Sequence, residues 1–401
     1  MAPKDYNHGV PGLPYFTPKH LTSPGSIVPN SKQHVPVPTL FTPLTIRGTT
    51  LRNRILVAPM CQYSTASEGP SVGALTDYHI ATLGHYALKG ASLVMVEATG
   101  VQPNGRITPN CPGLWTDAQI PALRRVSDFI KSQGALSGLQ LAHAGRKAST
   151  SELERLVQDW AEAAQRGVKA GVDMIEIHAA HGYLIHEFLS PVTNQRTDKY
   201  GGSFENRTRL LIEIIKAIRA VIPDTMPLYL RISATDWLEE TELGKKYGSW
   251  DVESSIRLAK LLPVLGVDLL DVSSGGNHPE QRISTYDSKD YQTKIAAQIR
   301  RELKKENLNM FIGAVGLIIA AEQARDIVED GAALSKNSIA ELASEAQAAV
   351  KLTEGKEPLA DVVLVGRQFM REPEWVLRVA WQLGLDVGWS NQFLRVRFPK
   401  L

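Results

Sequence analysis

Two imidazoles and a phenol fall within six residues in His178-Ala-Ala-His181-Gly-Tyr183. Such a group can bind a metal ion, relay protons, or donate hydrogen bonds to a substrate oxygen. Metal binding would need further ligands, and Glu176 and Glu187 are the nearby carboxylates. Glu176 shares a strand face with His178, but Glu187 lies beyond Gly182 in the following turn, so no metal is expected. A second signal, Gly313-Ala-Val-Gly316, follows an apolar run, where backbone N–H groups can receive a phosphate. Ser273 and Ser274 have no assigned histidine base and read as lining residues rather than nucleophiles.

These residues sit at the ends of short apolar runs. The runs are Ile55–Met60, Leu93–Ala98, Leu139–Ala142, Met174–Ile177, Leu228–Ile232, Leu269–Val272, Met310–Val315 and Val362–Val365. Continuous apolar runs are expected of strands covered on both faces, and the helical patterns between them supply the crossovers of a parallel sheet. Eight β/α units in about 350 residues predict an α/β protein of the TIM (β/α)8 barrel type. A doubly wound sheet is the alternative, but GxGxxG is absent after the first strand. In a barrel, His178 stands at the C-terminal end of the fourth strand, and Gly313-Gly316 after the seventh, where phosphates commonly bind.

Residues 1–40 are rich in proline and small polar residues and read as an N-terminal arm, leaving 41–401 as one barrel domain. Ser149 and Glu152 have capping-box spacing, and Leu153, Leu156, Val157 and Trp160 recur at helical intervals, which predicts a helix there. A further amphipathic pattern at 331–360, between the seventh helix and the eighth strand, predicts a helical insertion on the face opposite the chemistry.

The 401 residues are 43% hydrophobic and 21% charged with a net charge of +2, and no dense Lys/Arg block is present. Composition therefore argues for a globular chain without a polyanionic partner. Cys61 and Cys111 are the only cysteines, too few for a four-cysteine metal site or a disulfide framework, which fits a reducing compartment. No secretory leader and no run of about 18 apolar residues is visible, so a cytoplasmic protein without a membrane span is expected. Pro399-Lys400-Leu401 has only a distant likeness to the S-K-L peroxisomal address, departing at its first position.

The chain resembles the old yellow enzyme family, in its thermophilic-like and fungal branch. The motifs that carry the resemblance are Ala58-Pro-Met-Cys-Gln-Tyr63, Glu97-Ala-Thr99, Gly105-Arg-Ile107, Gln140-Leu-Ala-His-Ala-Gly-Arg-Lys147, His178-Ala-Ala-His-Gly-Tyr-Leu184, Asp198-Lys-Tyr-Gly-Gly-Ser-Phe-Glu-Asn-Arg207, Gly313-Ala-Val-Gly316 and Gly366-Arg367. The resemblance implies FMN, with Pro59, Met60, Cys61, Gly100 and Gln140 around the ring system and Arg231 at its N1 and O2 edge. An always-protonated guanidinium there stabilises the negative charge of the reduced ring. It also implies phosphate contacts from Gly313, Gly316, Gly366 and Arg367. NADPH or NADH would reduce FMN, and an activated alkene would then take hydride at its β-carbon. His178 and His181 would bind the alkene's carbonyl or nitro oxygen, Tyr183 would protonate the α-carbon, Cys61 would tune the flavin, and Tyr63 would line the substrate side.

Further along, Gln392-Phe-Leu-Arg395 resembles the motif by which relatives push an arginine into a neighbour's site, which implies a homodimer, although tyrosine is usual at Phe393. Only 35 residues separate His143 from His178, where the family has tens more forming a capping hairpin. The shortened connection after the third strand predicts a more open pocket. The alternatives are an FMN-dependent isomerase or oxidase using the same site without net reduction, and a non-enzymatic FMN-binding barrel. Two cysteines exclude the relatives' additional iron–sulfur cluster.

Overall fold

The computed structural model describes residues 8–29, 33, 35–145, 150–283, 290–329 and 357–399. A hairpin of β1 (Leu44–Ile46) and β2 (Thr49–Leu51) comes first. Eight parallel strands then close into a barrel: β3 (Ile55–Val57), β4 (Leu93–Gly100), β5 (Leu136–Ala142), β6 (Met174–Ala179), β7 (Leu228–Ser233), β8 (Leu269–Ser273), β9 (Phe311–Val315) and β10 (Val362–Val365). β10 pairs back onto β3, with Val363 opposite Ile55. Each apolar run read from the sequence is one of these strands. They are buried almost end to end because outward residues meet helices while inward residues fill the barrel, and this double burial makes the runs continuous.

The covering helices follow their strands in order. They are α1 (Asp77–Leu88), α2 (Ile120–Ser132), α3 (Thr150–Ala170), α4 (Leu184–Leu189), α5 (Phe204–Arg219), α6 (Glu242–Tyr247), α7 (Val252–Leu261), α8 (Tyr291–Lys305), α9 (Ala321–Val328), α10 (Arg367–Arg371) and α11 (Trp375–Gln382). α3 buries Leu153, Leu156 and Trp160 of the expected apolar stripe and half-buries Val157, and Ala163 and Ala164 extend the buried face. Its expected cap Ser149 lies outside the described residues, as does most of the 331–360 insertion.

The floor of the barrel is apolar. Ile46 and Leu51 of the hairpin pack among Leu56, Leu93, Met174 and Leu269, near the strand starts. Gly138 makes room there, since a Cβ would come within 2.7 Å of both Met95 Sδ and Met174 Sδ. Above that floor the inward positions become polar, and those positions build the site.

The described part of the N-terminal arm is tied to the barrel by polar contacts, which its composition did not reveal. Gln133 Nε2 donates to Thr17 Oγ1 at 2.9 Å, Asn53 Nδ2 donates to the Gly25 carbonyl at 3.1 Å, and Ile27 bridges to Val387.

Candidate active site

Parallel pairing places Gln140 beside Glu176, His178 beside Arg231, and Arg231 beside Asp271. Gln140 Nε2 donates to Glu176 Oε1 at 2.7 Å, and Arg231 Nε stands 3.2 Å from Asp271 Oδ2. Burial, then the charge of Asp271, pushes the Glu176 carboxyl up to about 8, while burial raises Asp271 to about 6 against the pull of Arg231. Glu176 Oε2, Arg231 Nε and both Asp271 oxygens lack a well-aligned hydrogen bond. Arg231 also reaches the wall of a cavity above this layer.

The end of β6 turns sharply. His181 has φ +61 and Gly182 φ +75, and a Cβ on Gly182 would lie 2.2 Å from the Gly276 carbonyl oxygen. Only glycine permits this back-to-back approach of the turns after β6 and β8. The turn brings three rings together: His178 lies 5.2 Å from His181 and 5.0 Å from Tyr183, both edge-on. His178 Nδ1 accepts from Ala180 N–H at 3.3 Å, which assigns its own proton to Nε2. Burial lowers the pKa of both histidines, that of His181 to about 3, with Arg231 adding to the effect. Both rings are therefore neutral donors at ordinary pH. Burial, then Cys61, raises the Tyr183 phenol to about 12 and keeps its proton in place.

His181 Nε2 lies 2.8 Å from Ser273 Oγ, so the fold supplies the histidine that the sequence did not assign to this serine. Ser274 Oγ donates to Gln292 Oε1 at 2.8 Å, and Gln292 Nε2 donates to the Val315 carbonyl at 2.7 Å, tying β8 to β9. Behind the turn, Gly182 N–H donates to His186 Nδ1 at 3.0 Å, and His186 Nε2 lies 2.8 Å from Asp236 Oδ1, both side chains fully buried. Sequence reasoning missed Asp271, Gln292, His186 and Asp236. Glu187, the second carboxylate weighed as a metal ligand, reaches toward Gly145, where a Cβ would meet its Oε2 at 2.6 Å.

The cavity, about 370 Å³, is bounded by Pro59, Met60, Arg231, Gly316, Gly366, Arg367 and also Arg371. Gly316 has φ +106, and a Cβ there would lie 2.3 Å from Gln292 Nε2. Two arginines near glycine turns, with a third guanidinium on the wall from the barrel interior, suit a ligand that combines an anionic group with an electron-accepting ring. The residues fit FMN. Four members of the expected cofactor set, Cys61, Gly100, Gln140 and Gly313, are not on this wall. Gly313 is paired inside β9, where a Cβ would meet Leu364 Cδ1 at 2.4 Å. Gly100 N–H donates to the Pro112 carbonyl at 2.9 Å, and Gln140 lies in the polar layer beside Glu176.

The segment after β3 carries Cys61 and Tyr63. Glu97 Oε1 accepts from Gln62 N–H at 3.2 Å and meets His79 Nε2 at 3.2 Å, so a buried pair fixes this loop. Tyr63, at φ +52, is 52% exposed. Arg395 is exposed in the turn Asn391–Val396 and does not line the cavity, while Phe393 lies under Lys89, whose Nζ is 3.6 Å from the ring centroid.

A closed barrel that gathers neutral histidines, a phenol and an arginine-lined cavity on its C-terminal rim defines a class, the barrel oxidoreductases built around a flavin. The chain belongs to the NADH:flavin oxidoreductase / NADH oxidase family, whose model matches residues 39–156 and 148–335. It is 38% identical to the NADH:flavin oxidoreductase FG08077 of Gibberella zeae over 96% of this chain and 94% of that one. It is 36% identical to an NADPH dehydrogenase of Bacillus subtilis, over 89% of this chain and 98% of the relative. Among solved structures it resembles morphinone reductase, with TM-score 0.63, 25% identity and 88% and 91% coverage of the two chains. It shares its fold with the old yellow enzyme homologue from Zymomonas mobilis, with TM-score 0.64, 24% identity and 91% and 97% coverage. The chain is accordingly an FMN-dependent NAD(P)H oxidoreductase of the old yellow enzyme type. Among the described residues, no helix is long and apolar enough to cross a membrane.

Proposed function

We propose that the protein is an ene-reductase that uses NADPH or NADH to reduce the C=C bond of α,β-unsaturated carbonyl or nitro compounds. The observation that carries this reading is the convergence of His178, His181 and Tyr183 at the end of β6. FMN, when bound, supplies the hydride. Pro59, Met60, Cys61, Gly100, Gln140 and Arg231 would hold its ring, and Gly313, Gly316, Gly366 and Arg367 its phosphate.

Two neutral imidazoles donate to the substrate oxygen and stabilise the charge that develops on it, at no cost in buried positive charge. His178 presents Nε2–H; His181 is oriented by Ser273 and by Ser233, whose Oγ accepts from its backbone N–H at 2.9 Å. Tyr183 keeps its proton at neutral pH and delivers it from the hydroxyl to the α-carbon. Tyr63 would close the outer side of the pocket, with Arg395 contributed by a second copy in a homodimer.

The shortened connection after β5 would leave this pocket open to bulky alkenes and to water. Its support is the division of the family match into two stretches that meet at 148–156, and an alignment with the Gibberella relative that is 431 positions long, at least 30 more than this chain has residues. The test is anaerobic mixing. NADPH should bleach a yellow protein carrying noncovalent FMN, and 2-cyclohexenone or a nitroalkene should restore the colour with stoichiometric saturated product. Bleaching without alkene-dependent reoxidation would exclude the ene-reductase and leave an isomerase or oxidase. A colourless protein that FMN cannot reconstitute would exclude the flavin site.

A further inference from the structure

Asp236 is fully buried on the loop after β7 and gathers donors from three loops of the C-terminal rim. Asn277 Nδ2, on the turn after β8, donates to its Oδ1 at 3.2 Å. Trp250 N–H, just before α7, donates to its Oδ2 at 3.1 Å, and Ser190 Oγ, at the end of α4, donates to the same oxygen. His186 Nε2 faces Oδ1 at 2.8 Å. Against the effect of burial, the His186 and Ser190 side chains and Trp250 N–H hold the Asp236 carboxyl below the ordinary carboxylate range, so it is ionised at neutral pH.

The other nitrogen of His186 faces the turn that carries the three rings. Nδ1 accepts from Gly182 N–H at 3.0 Å, which leaves the ring proton on Nε2, toward Asp236. Gly182 is the residue between His181 and Tyr183. We infer that Asp236 and His186 are positioning residues that fix the spacing of His181 and Tyr183 around the substrate oxygen, Asp236 by setting the tautomer of His186 and His186 by holding Gly182. The inference deepens the ene-reductase reading and rests on it for the role of the turn.

A carboxylate accepts hydrogen bonds and cannot donate them, so it selects the Nε2–H form of the ring, and that form alone leaves an acceptor at Nδ1 for Gly182 N–H. In Asp236→Asn the amide can turn its NH2 toward His186. The ring then takes its proton on Nδ1, where it opposes Gly182 N–H. Other ties do not replace this brace. Ser233 and Ser273, at the ends of β7 and β8, hold the backbone N–H and the ring of His181, but the peptide that follows lies beyond the end of β6 in a positive-φ turn. The Gly276 turn that abuts Gly182 is drawn to the same carboxylate through Asn277, so Asp236 sets both sides of that contact.

The test uses the FMN-loaded full chain carrying 15N-labelled histidine. The His186 ring, assigned by the loss of its signals in His186→Asn and His186→Leu, should be the Nε2–H tautomer in the parent and the Nδ1–H tautomer in Asp236→Asn. Affinity for 4-hydroxybenzaldehyde, read from its charge-transfer band per bound flavin, should fall about 3- to 10-fold in Asp236→Asn and in His186→Leu. His186→Asn keeps an oxygen where Nδ1 stood and should bind the phenol nearly as tightly as the parent. Flavin content per chain should be unchanged in all three, which separates a displaced turn from a damaged barrel. An Nδ1–H or doubly protonated His186 in the parent, or parent-like phenol affinity in both Asp236→Asn and His186→Leu, would overturn the proposal. If Asp236→Asn does not fold, the parent's tautomer and the two His186 variants still decide. If phenol affinity does not depend on His178 and His181, the reading of the pocket fails, and the tautomer of His186 alone decides the brace.

Discussion

Gln140 and Glu176 share a 2.7 Å hydrogen bond in the middle of the barrel, where both are buried. Burial, then Asp271, moves the Glu176 carboxyl from 4.5 up to about 8. The native chain thus keeps a proton there that the unfolded chain releases above about pH 4.5. Its contribution to stability is complete below that pH and is lost as pH rises toward about 8. Urea midpoints should fall between about pH 5 and pH 8 more steeply in the parent than in Glu176→Gln. Parallel profiles would mean that Glu176 stays ionised in the fold.

The histidine pair should bind phenolates over the oxidised flavin. 4-Hydroxybenzaldehyde should give a long-wavelength charge-transfer band, and His178→Ala with His181→Ala should abolish it. A hydrogen bond to a charged group is worth about 1.5–3 kcal/mol, so each single variant should weaken the phenol about 10- to 100-fold. Unchanged phenol affinity in the double variant, by visible titration, would remove the pair from the oxyanion role.

Tyr183→Phe should slow the alkene-dependent half of the reaction about 10²- to 10⁴-fold while leaving the NADPH-dependent half nearly unchanged. Stopped-flow traces of each half separate the two. An open lid would let water protonate the α-carbon, shrinking the loss toward the lower bound and scrambling the product's enantiomeric ratio. Equal slowing of both halves would make Tyr183 a positioning residue rather than the proton donor.

Arg395 is exposed in its own chain and absent from its own cavity wall. If it completes a neighbour's pocket, the protein should sediment as a dimer or larger, and Arg395→Ala should raise KM for the alkene with little change in kcat. A monomer at assay concentration would end this assignment, as would an unchanged KM.

The barrel was legible because parallel strands covered on both sides must be apolar throughout. The His178–Tyr183 group was legible because its members are neighbours in sequence, and a strand end places them together in any barrel of this kind. Gly313 shares a motif with the turn glycine Gly316, but only the fold shows that it is paired inside β9, where its missing Cβ makes room for Leu364. Glu176 under Gln140 and Ser273 under His181 join strands 36 and 92 residues apart. Residue identities reveal that these groups can hydrogen-bond, but the stagger of the closed sheet chooses which ones meet.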